Sequence, residues 1–482
     1  MGRMGEPTHE IRWGRLAFCA LLGASVCLLP APEGLPAAGW RVFAVFTSVI
    51  AAFLLRPLEM APTVLIGLVV LVATGTVGLD PMIKDGFGDS TVWLVVAAFL
   101  IADAVEATGL GKRIALLLLR ALGRSMMGLA YAIAATELVL APFVPSNTAR
   151  GGGIVSPIVR ALAESLGSKP GESPRVAGAY LHQVASHSNL VTSAMFVTAM
   201  AGNANIPPKA MGILGVEFEF GTWILGSSVP GILSLVALPL LLKLLERPGT
   251  IDVARVRGRV GSELEAMGPW KKAEARLGAV LVGVLLLWSL SAPFKSWSGI
   301  ELKPTTVALG GVAIIVLLQI RSWQQLASCW HAWDALLWLG GFVSIAESLK
   351  ATGFTDWFAG RVEQRLAGFG PLECTIALSL VYFASMFLFS QLTAHIAALA
   401  AAFFTVSRNV GAPPLLAVAL ISYFSCLCGC MTPWSSGPVI IHFQNGYVPA
   451  GRWMRNGFLI AGLHLAIWLS VGMAWWRWLG WW

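Results

Sequence analysis

The chain has 482 residues, of which 56% are apolar and only 12% charged, with a net charge of +8 and a mean hydropathy of +0.74. An average soluble domain is about 25% charged. So much apolar surface cannot be hidden in a water-soluble fold of this size, which excludes a soluble enzyme, a disordered chain and a collagen-like one. A helix that crosses the hydrocarbon core needs roughly 20 apolar residues. The chain has room for many, so the composition predicts an all-α polytopic membrane protein.

The first apolar run, Leu16–Leu29, follows Arg3, Arg12 and Arg15, and a second run starts soon after. That order predicts a first span entering from the cytoplasm, not a cleaved signal. Further runs lie at 38–56, 60–78, 92–110, 113–122, 126–144, 175–202 and 222–245. After them comes the one long polar stretch, 246–276. It carries Arg247, Arg255, Arg257, Arg259, Lys271, Lys272 and Arg276, an excess of basic residues that predicts a cytoplasmic loop. The same bias accounts for the net positive charge without nucleic acid as a partner. Apolar runs resume at 277–292, 305–320, 334–349, 372–389, 396–406, 414–428 and 455–477. The tail is rich in tryptophan (Trp468, Trp475, Trp476, Trp478, Trp481, Trp482), which predicts an interfacial belt.

The two halves resemble each other. Asp89-Ser-Thr-Val-Trp93-Leu94 recurs as Asp334-Ala-Leu-Leu-Trp338-Leu339, and Ala107-Thr108-Gly109 as Ala351-Thr352-Gly353. Asp103 falls opposite Glu347, and Thr148-Ala149-Arg150 meets Thr393-Ala394-His395. Repetition at a nearly constant offset predicts duplication, with a first repeat over 1–245, a loop over 246–276 and a second repeat over 277–482. Duplicated halves in a many-span protein are a signature of secondary transporters, and odd-numbered halves are inverted.

Two polar islands interrupt apolar sequence. Pro145-Ser146-Asn147-Thr148-Ala149-Arg150-Gly151-Gly152-Gly153 breaks a helix at membrane depth, where irregular backbone survives only beside a protein-lined cavity. A helix restarting after Ser146, Asn147 and Thr148 points its positive end into the break, as an anion site requires. Ser390-Gln391-Leu392-Thr393-Ala394-His395 repeats that logic. Other chemistry is absent from the sequence. Cys426, Cys428 and Cys430 lack the spacing of a zinc site, His182 and His187 fall on different helical faces, and Gly226-Ser227-Ser228 is no nucleophile elbow. No metal or cofactor is expected.

On these motifs, together with Gly167–Arg175, the block Asn189–Asn203, Gly429–Gly437 and Gly446-Tyr447-Val448, the chain resembles the divalent anion/sodium symporter family, also called the sodium/sulfate symporter or dicarboxylate carrier family. The resemblance is to its citrate, tartrate and oxoglutarate/malate translocator branch. It implies about eleven transmembrane helices plus two re-entrant hairpins, scaffold and transport domains that work as an elevator, and a homodimer. It implies substrate contacts from Ser146, Asn147 and Thr148 at the first hairpin tip and from Ser390, Gln391 and Thr393 at the second. The loops facing the tips fall at Asn203 and at Thr432-Pro433.

Arg150 and His395 follow the two tips at matching positions. An arginine inside a membrane costs about 2.5–3.5 kcal/mol on insertion scales, so it is paired or functional. The sharper expectation is that both side chains supply positive charge where a symporter binds sodium. The plainer one is that Arg150 snorkels and His395 is a core histidine. Glu137 is expected to pair with Arg150 or Arg160, or to carry a proton. The expected function is therefore secondary transport of di- or tricarboxylates (malate, succinate, 2-oxoglutarate, tartrate or citrate) by sodium-independent exchange, in a bacterial inner membrane. Sodium-coupled symport is the alternative, with sodium then required.

Overall fold

A computed structural model describes residues 11–250, 252–300, 302–366, 370–389 and 391–482. Their regular structure is helical. In chain order the first helices are α1 (Trp13–Leu28), α2 (Ala37–Leu55), α3 (Met60–Ala73), α4 (Ser90–Thr108), α5 (Leu110–Leu122), α6 (Met126–Leu140), α7 (Ser156–Ser165), α8 (Gly178–Met195) and α9 (Phe220–Glu246). The polar stretch holds α10 (Val253–Met267). Then follow α11 (Lys272–Ser289), α12 (Ser291–Ser298), α13 (Pro304–Leu317), α14 (Trp330–Ala351), α15 (Phe354–Leu366), α16 (Pro371–Ser385), α17 (Leu392–Asn409), α18 (Pro414–Leu427), α19 (Gly437–Gln444) and α20 (Ala450–Ile467). Among the described residues five segments are long and apolar enough to cross a membrane: Ser90–Thr108, Phe220–Glu246, Pro371–Leu388, Pro414–Met431 and Ala450–Trp478. Shorter apolar helices stand beside them, including Trp13–Leu28, Met126–Leu140 and Pro304–Leu317.

The two halves run through the same succession of elements. Gly109 stops α4 and Gly353 stops α14, with φ +77° and +80°, a left-handed conformation that glycine adopts without a Cβ penalty. A 13-residue helix follows each stop, α5 and α15, and a 15-residue helix follows those, α6 and α16. These last helices end at Leu140 and Ser385, and turns at 141–143 and 386–388 follow them.

The chain divides into two compact units. One combines Met1–Val92 with Trp333–Ala367, the other Trp93–Ala332 with Gly368–Trp482. In the first, α1, α2 and α3 pack against one another, and Phe342 of α14 meets Phe46 and Phe53 of α2. In the second, α8 is buried along its whole length and packs against α6, α7, α9 and α18. With water on no side, α8 turns its polar side chains inward: Gln183 donates to Glu246 and Asn189 to Glu137, whereas neither nitrogen of His187 has a hydrogen-bond partner among the described residues.

The polar stretch is folded. Asp252 caps α10 by accepting from the amides of Ala254 and Arg255. Glu263 of α10 meets Lys112 of α5 at 2.7 Å, and that hydrogen bond holds its carboxyl below the usual range. The buried Arg113 of α5 meets Glu274 at 3.0 Å and donates to the Gly268 carbonyl.

The tail departs from expectation. Trp468, Trp476 and Trp481 are buried around Tyr423, and the indoles of Trp468 and Trp476 donate to Ser234 and to the Gly226 carbonyl. Gly226 makes the room, since a Cβ there would overlap Trp481 and the Tyr423 hydroxyl. Only Trp478 is strongly exposed among the large tail residues. Trp is amphipathic, and a core that offers its N–H a partner competes with the interface for it.

Close helix approach also sets α20. A Cβ at Gly457 would overlap the Cys430 carbonyl oxygen, which is backbone and cannot yield, whereas Gly462 faces open space. Gly457→Ala is expected to cost about 1–3 kcal/mol by overpacking. Gly462→Ala is expected to be neutral or to gain up to about 1 kcal/mol from helix propensity. Thermal unfolding of the two purified variants in detergent checks this, and equal midpoints would refute it.

Candidate functional site

All of the first tip lies in the second compact unit, so its geometry can be built from the residues upward. Helix α6 ends at Leu140, and Pro142 and Pro145 prevent its continuation. The chain turns back at Ser146, whose hydroxyl accepts from the Ala149 amide at 3.1 Å. From Ala149 to Val155 the backbone is a π-type turn leading into α7. Such turns are frequent at functional sites.

Two of the three glycines have separate reasons. A Cβ at Gly151 would crowd Asn189 and Pro438, and one at Gly152 would overlap Ile441. Bare backbone is therefore what lets α19 lie along the tip. Gly437, the first residue of α19, has no room for a Cβ beside the Thr148 side chain. Gly153 faces open space.

Arg150 sits at the centre with no exposed surface. Its Nε donates to Glu137 Oε2 at 2.7 Å. One terminal nitrogen donates to the carbonyls of Val144 and Ala199, each at 2.9 Å. The other donates to Ser193 Oγ at 3.0 Å and reaches Thr192 Oγ1 at 3.5 Å. Asn189 completes the knot, donating to Glu137 Oε2 at 2.9 Å and to the Asn147 carbonyl at 3.2 Å. A guanidinium has five N–H donors, and here all of them meet oxygen.

This settles which of the open readings of Arg150 and Glu137 the geometry takes. Arg150 does not snorkel, and Glu137 pairs with it and not with Arg160, whose partner is Glu164 at 2.9 Å. The positive charge at Arg150 is a paired one. The guanidinium is neutralised by Glu137, because a lone charge at this depth would be far costlier than a hydrogen-bonded pair.

The second tip is built differently. Ser390 lies outside the described residues. Gln391 is the extended N-cap of α17, and its side chain makes no capping bond. Thr393 is half-buried and packs on Gly202. His395 is fully buried between the rings of Tyr382 and Phe389, and its Nε2 lies 2.8 Å from Ser385 Oγ. An imidazole between aromatic rings with a hydroxyl partner has the surroundings of a core histidine.

The facing loops also divide. Asn203 is spent on the protein: its amide donates to the Ser193 and Phe196 carbonyls, and its oxygen accepts from Cys426 Sγ at 3.3 Å. It braces the turn that carries Gly202. Pro433 is buried. Thr432 is 1% exposed, and its hydroxyl has no hydrogen-bond partner among the described residues. The same is true of the Ser436 hydroxyl at the N-cap of α19, a residue that sequence reasoning did not single out. Two helix N-termini, those of α17 and α19, thus lack side-chain caps, and the unpartnered Ser436 hydroxyl belongs to the N-cap of the second. Among the described residues no group of three His, Cys, Asp or Glu side chains could hold a metal.

Comparison with known proteins follows the same line. The model of the sodium:sulfate symporter transmembrane region matches residues 10–482. YflS of Bacillus subtilis, named for malate transport, is 37% identical over 97% of this chain and 96% of its own. Dicarboxylate transporter 1 of Spinacia oleracea chloroplasts is 32% identical over 96% of this chain and 80% of its own. The L-tartrate/succinate antiporter of Escherichia coli is 32% identical over 98% and 99%. Among solved structures, the YdaH transporter of Alcanivorax borkumensis aligns with a TM-score of 0.56 at 14% identity, over 97% of this chain and 96% of that one. MtrF of Neisseria gonorrhoeae aligns at 0.57 and 13%, over 95% and 96%. At those identities the likeness is one of fold.

The buried pair makes a direct prediction. Glu137→Gln leaves the guanidinium without its counter-charge and is expected to cost about 3–5 kcal/mol of stability. Adding Arg150→Gln removes the stranded charge and is expected to recover part of that loss, a coupling that a double-mutant cycle measures. Unfolding midpoints of the three variants and the parent check it, and additive losses would refute the pairing.

Proposed function

The chain belongs to the sodium:sulfate symporter transmembrane family, and from that premise we propose that it exchanges dicarboxylates across a membrane without sodium. It is a membrane transporter and not an enzyme. The substrate class follows the relatives named for malate, dicarboxylates, and tartrate and succinate. We place it in a bacterial inner membrane, as a homodimer of elevator type built from inverted repeats. The matched succession of elements in the two halves supports the repeats.

One observation carries the sodium independence. Around Arg150 converge one carboxylate, two backbone carbonyls and two hydroxyls. An all-oxygen shell of acceptors is what a hard cation takes. Here a guanidinium fills it and cannot leave with the substrate. The cation's place is permanently occupied, so no ion gradient is needed to assemble the tip.

Exchange has a separate cause. Because Glu137 neutralises Arg150, the empty carrier does not carry a stranded cation. It does carry uncapped helix ends at α17 and α19 and unpartnered hydroxyls at Thr432 and Ser436. Each helix N-terminus is worth roughly half a positive charge, and each buried unmet donor costs about 1–3 kcal/mol. A bound dicarboxylate satisfies both features. An empty site crosses slowly and a loaded one quickly, which is the behaviour of an exchanger. Thr148, Gln391 and Thr393 are assigned to the substrate with Thr432 and Ser436, and Ser146, Asn147 and Asn203 to the frame that holds them.

Purified protein in liposomes tests this. Uptake of labelled succinate is expected only into vesicles preloaded with unlabelled dicarboxylate, at the same rate in sodium and in potassium medium. Arg150→Gln is expected to lower that rate by at least about tenfold, since it dismantles the tip. Uptake into empty vesicles driven by a sodium gradient would establish symport instead.

A further inference from the structure

Helix α19 has only eight residues, yet its first turn lies against the first tip. Gly437 abuts Thr148, Pro438 lies against Gly151, and Ser436 presents its unpartnered hydroxyl. What keeps so short a helix in place is at its other end. His442 Nδ1 lies 2.9 Å from His182 Nδ1 of α8, and both side chains are buried. Tyr447, three residues past α19, stacks on His182 with ring centroids 4.8 Å apart, in space that Gly178 leaves by having no Cβ. Its hydroxyl donates to the Ser168 carbonyl at 3.2 Å, and Asn445 Nδ2 donates to Ser156 Oγ at 3.3 Å.

We propose that the His182–His442 hydrogen bond is a positioning contact that fixes the N-terminus of α19 at the first tip and thereby sets the affinity for the transported anion. This deepens the transport reading and rests on it. Two δ nitrogens at that separation form a bond only if one is protonated and the other is not. The pair therefore holds opposite tautomers, one Nδ1–H and one Nε2–H. His442 is five residues from Gly437, about 7.5 Å along a rigid helix. A shift at His442 is passed on to the helix end and to the Ser436 hydroxyl, where a carboxylate would be felt as weaker binding. Helix α8 also supplies Asn189, Thr192 and Ser193 to the Arg150 knot. The same helix thus registers both partners of the site, the tip through its second half and α19 through its first.

Succinate exchange in preloaded liposomes tests the inference. His442→Leu removes the nitrogen and is expected to raise the half-saturation concentration about fivefold, the weight of one hydrogen bond, with the maximal rate changed less than about twofold. His442→Asn places an amide where Nδ1 stood and is expected to recover most of the lost affinity. A general packing role predicts instead that both variants fail alike, and that outcome overturns the proposal, as does an unchanged half-saturation in the leucine variant. Nitrogen NMR of the labelled parent protein decides the matter even if the leucine variant does not fold. One protonated and one bare Nδ1 at His182 and His442 support the pair, and two bare ones overturn it. A parent protein that moves no dicarboxylate overturns the transport reading, and the NMR result then judges the pair alone.

Discussion

A charge cannot sit unpaired in the interior of a membrane protein, and the burial of Arg150 orders much of what surrounds it. Its five donors reach α6 through Glu137, the tip through Val144, α8 through Thr192 and Ser193, and the following turn through Ala199. Four segments are fastened by one side chain. None of them can move alone without exposing a charge or stranding a carbonyl, and a buried ion pair broken on one side costs several kcal/mol. Whatever motion carries substrate across, the first tip, α6 and α8 travel together. The ion pair supplies the reason this part of the fold stays whole.

The repeated architecture carries unequal chemistry. At the first tip a guanidinium knot holds the backbone in place and Ser146 caps the turn. At the second, an imidazole is clasped between Tyr382 and Phe389, and the N-terminus of α17 is left open. The two halves share element lengths and the left-handed glycines at Gly109 and Gly353, while their polar contents differ. An asymmetric site suits an asymmetric hydroxy acid as readily as a symmetric diacid.

Much of this was legible in the residues. Helix breaks inside apolar sequence need Pro, Gly and small hydroxyls, and 145–153 combines all three with three consecutive glycines. The halves could be aligned because Thr-Gly stops and Asp-x-x-x-Trp starts depend on local backbone. What could not be read depends on distant partners. Glu137 is 13 residues from Arg150, Ser193 is 43 away, and Cys426 reaches Asn203 across 223 positions. Asn203 looked like a ligand because a buried amide in a loop has the same signature whether it faces substrate or backbone. The tail tryptophans misled for a related reason: an amphipathic side chain goes to an interface or to a core that offers an acceptor, and Gly226 and Ser234 provide the second. The division into units pairs Met1–Val92 with Trp333–Ala367, a grouping that no local pattern encodes.

Neutralising Arg150 has a consequence for energetics as well as for geometry. A moving cation would couple transport to membrane voltage, about 2.3 kcal/mol per charge per 100 mV. The pair Arg150–Glu137 carries no net charge, so the loaded site bears essentially the charge of its substrate. Under exchange, one dianion leaves as another enters, and the voltage contributions of the two legs cancel. Under symport the same dianion would need two or more sodium ions to cross at comparable cost, and at the first tip the oxygens that could bind one are already taken by the guanidinium. On the proposed exchange reading, a carrier with that tip is driven by the concentrations of its two carboxylates.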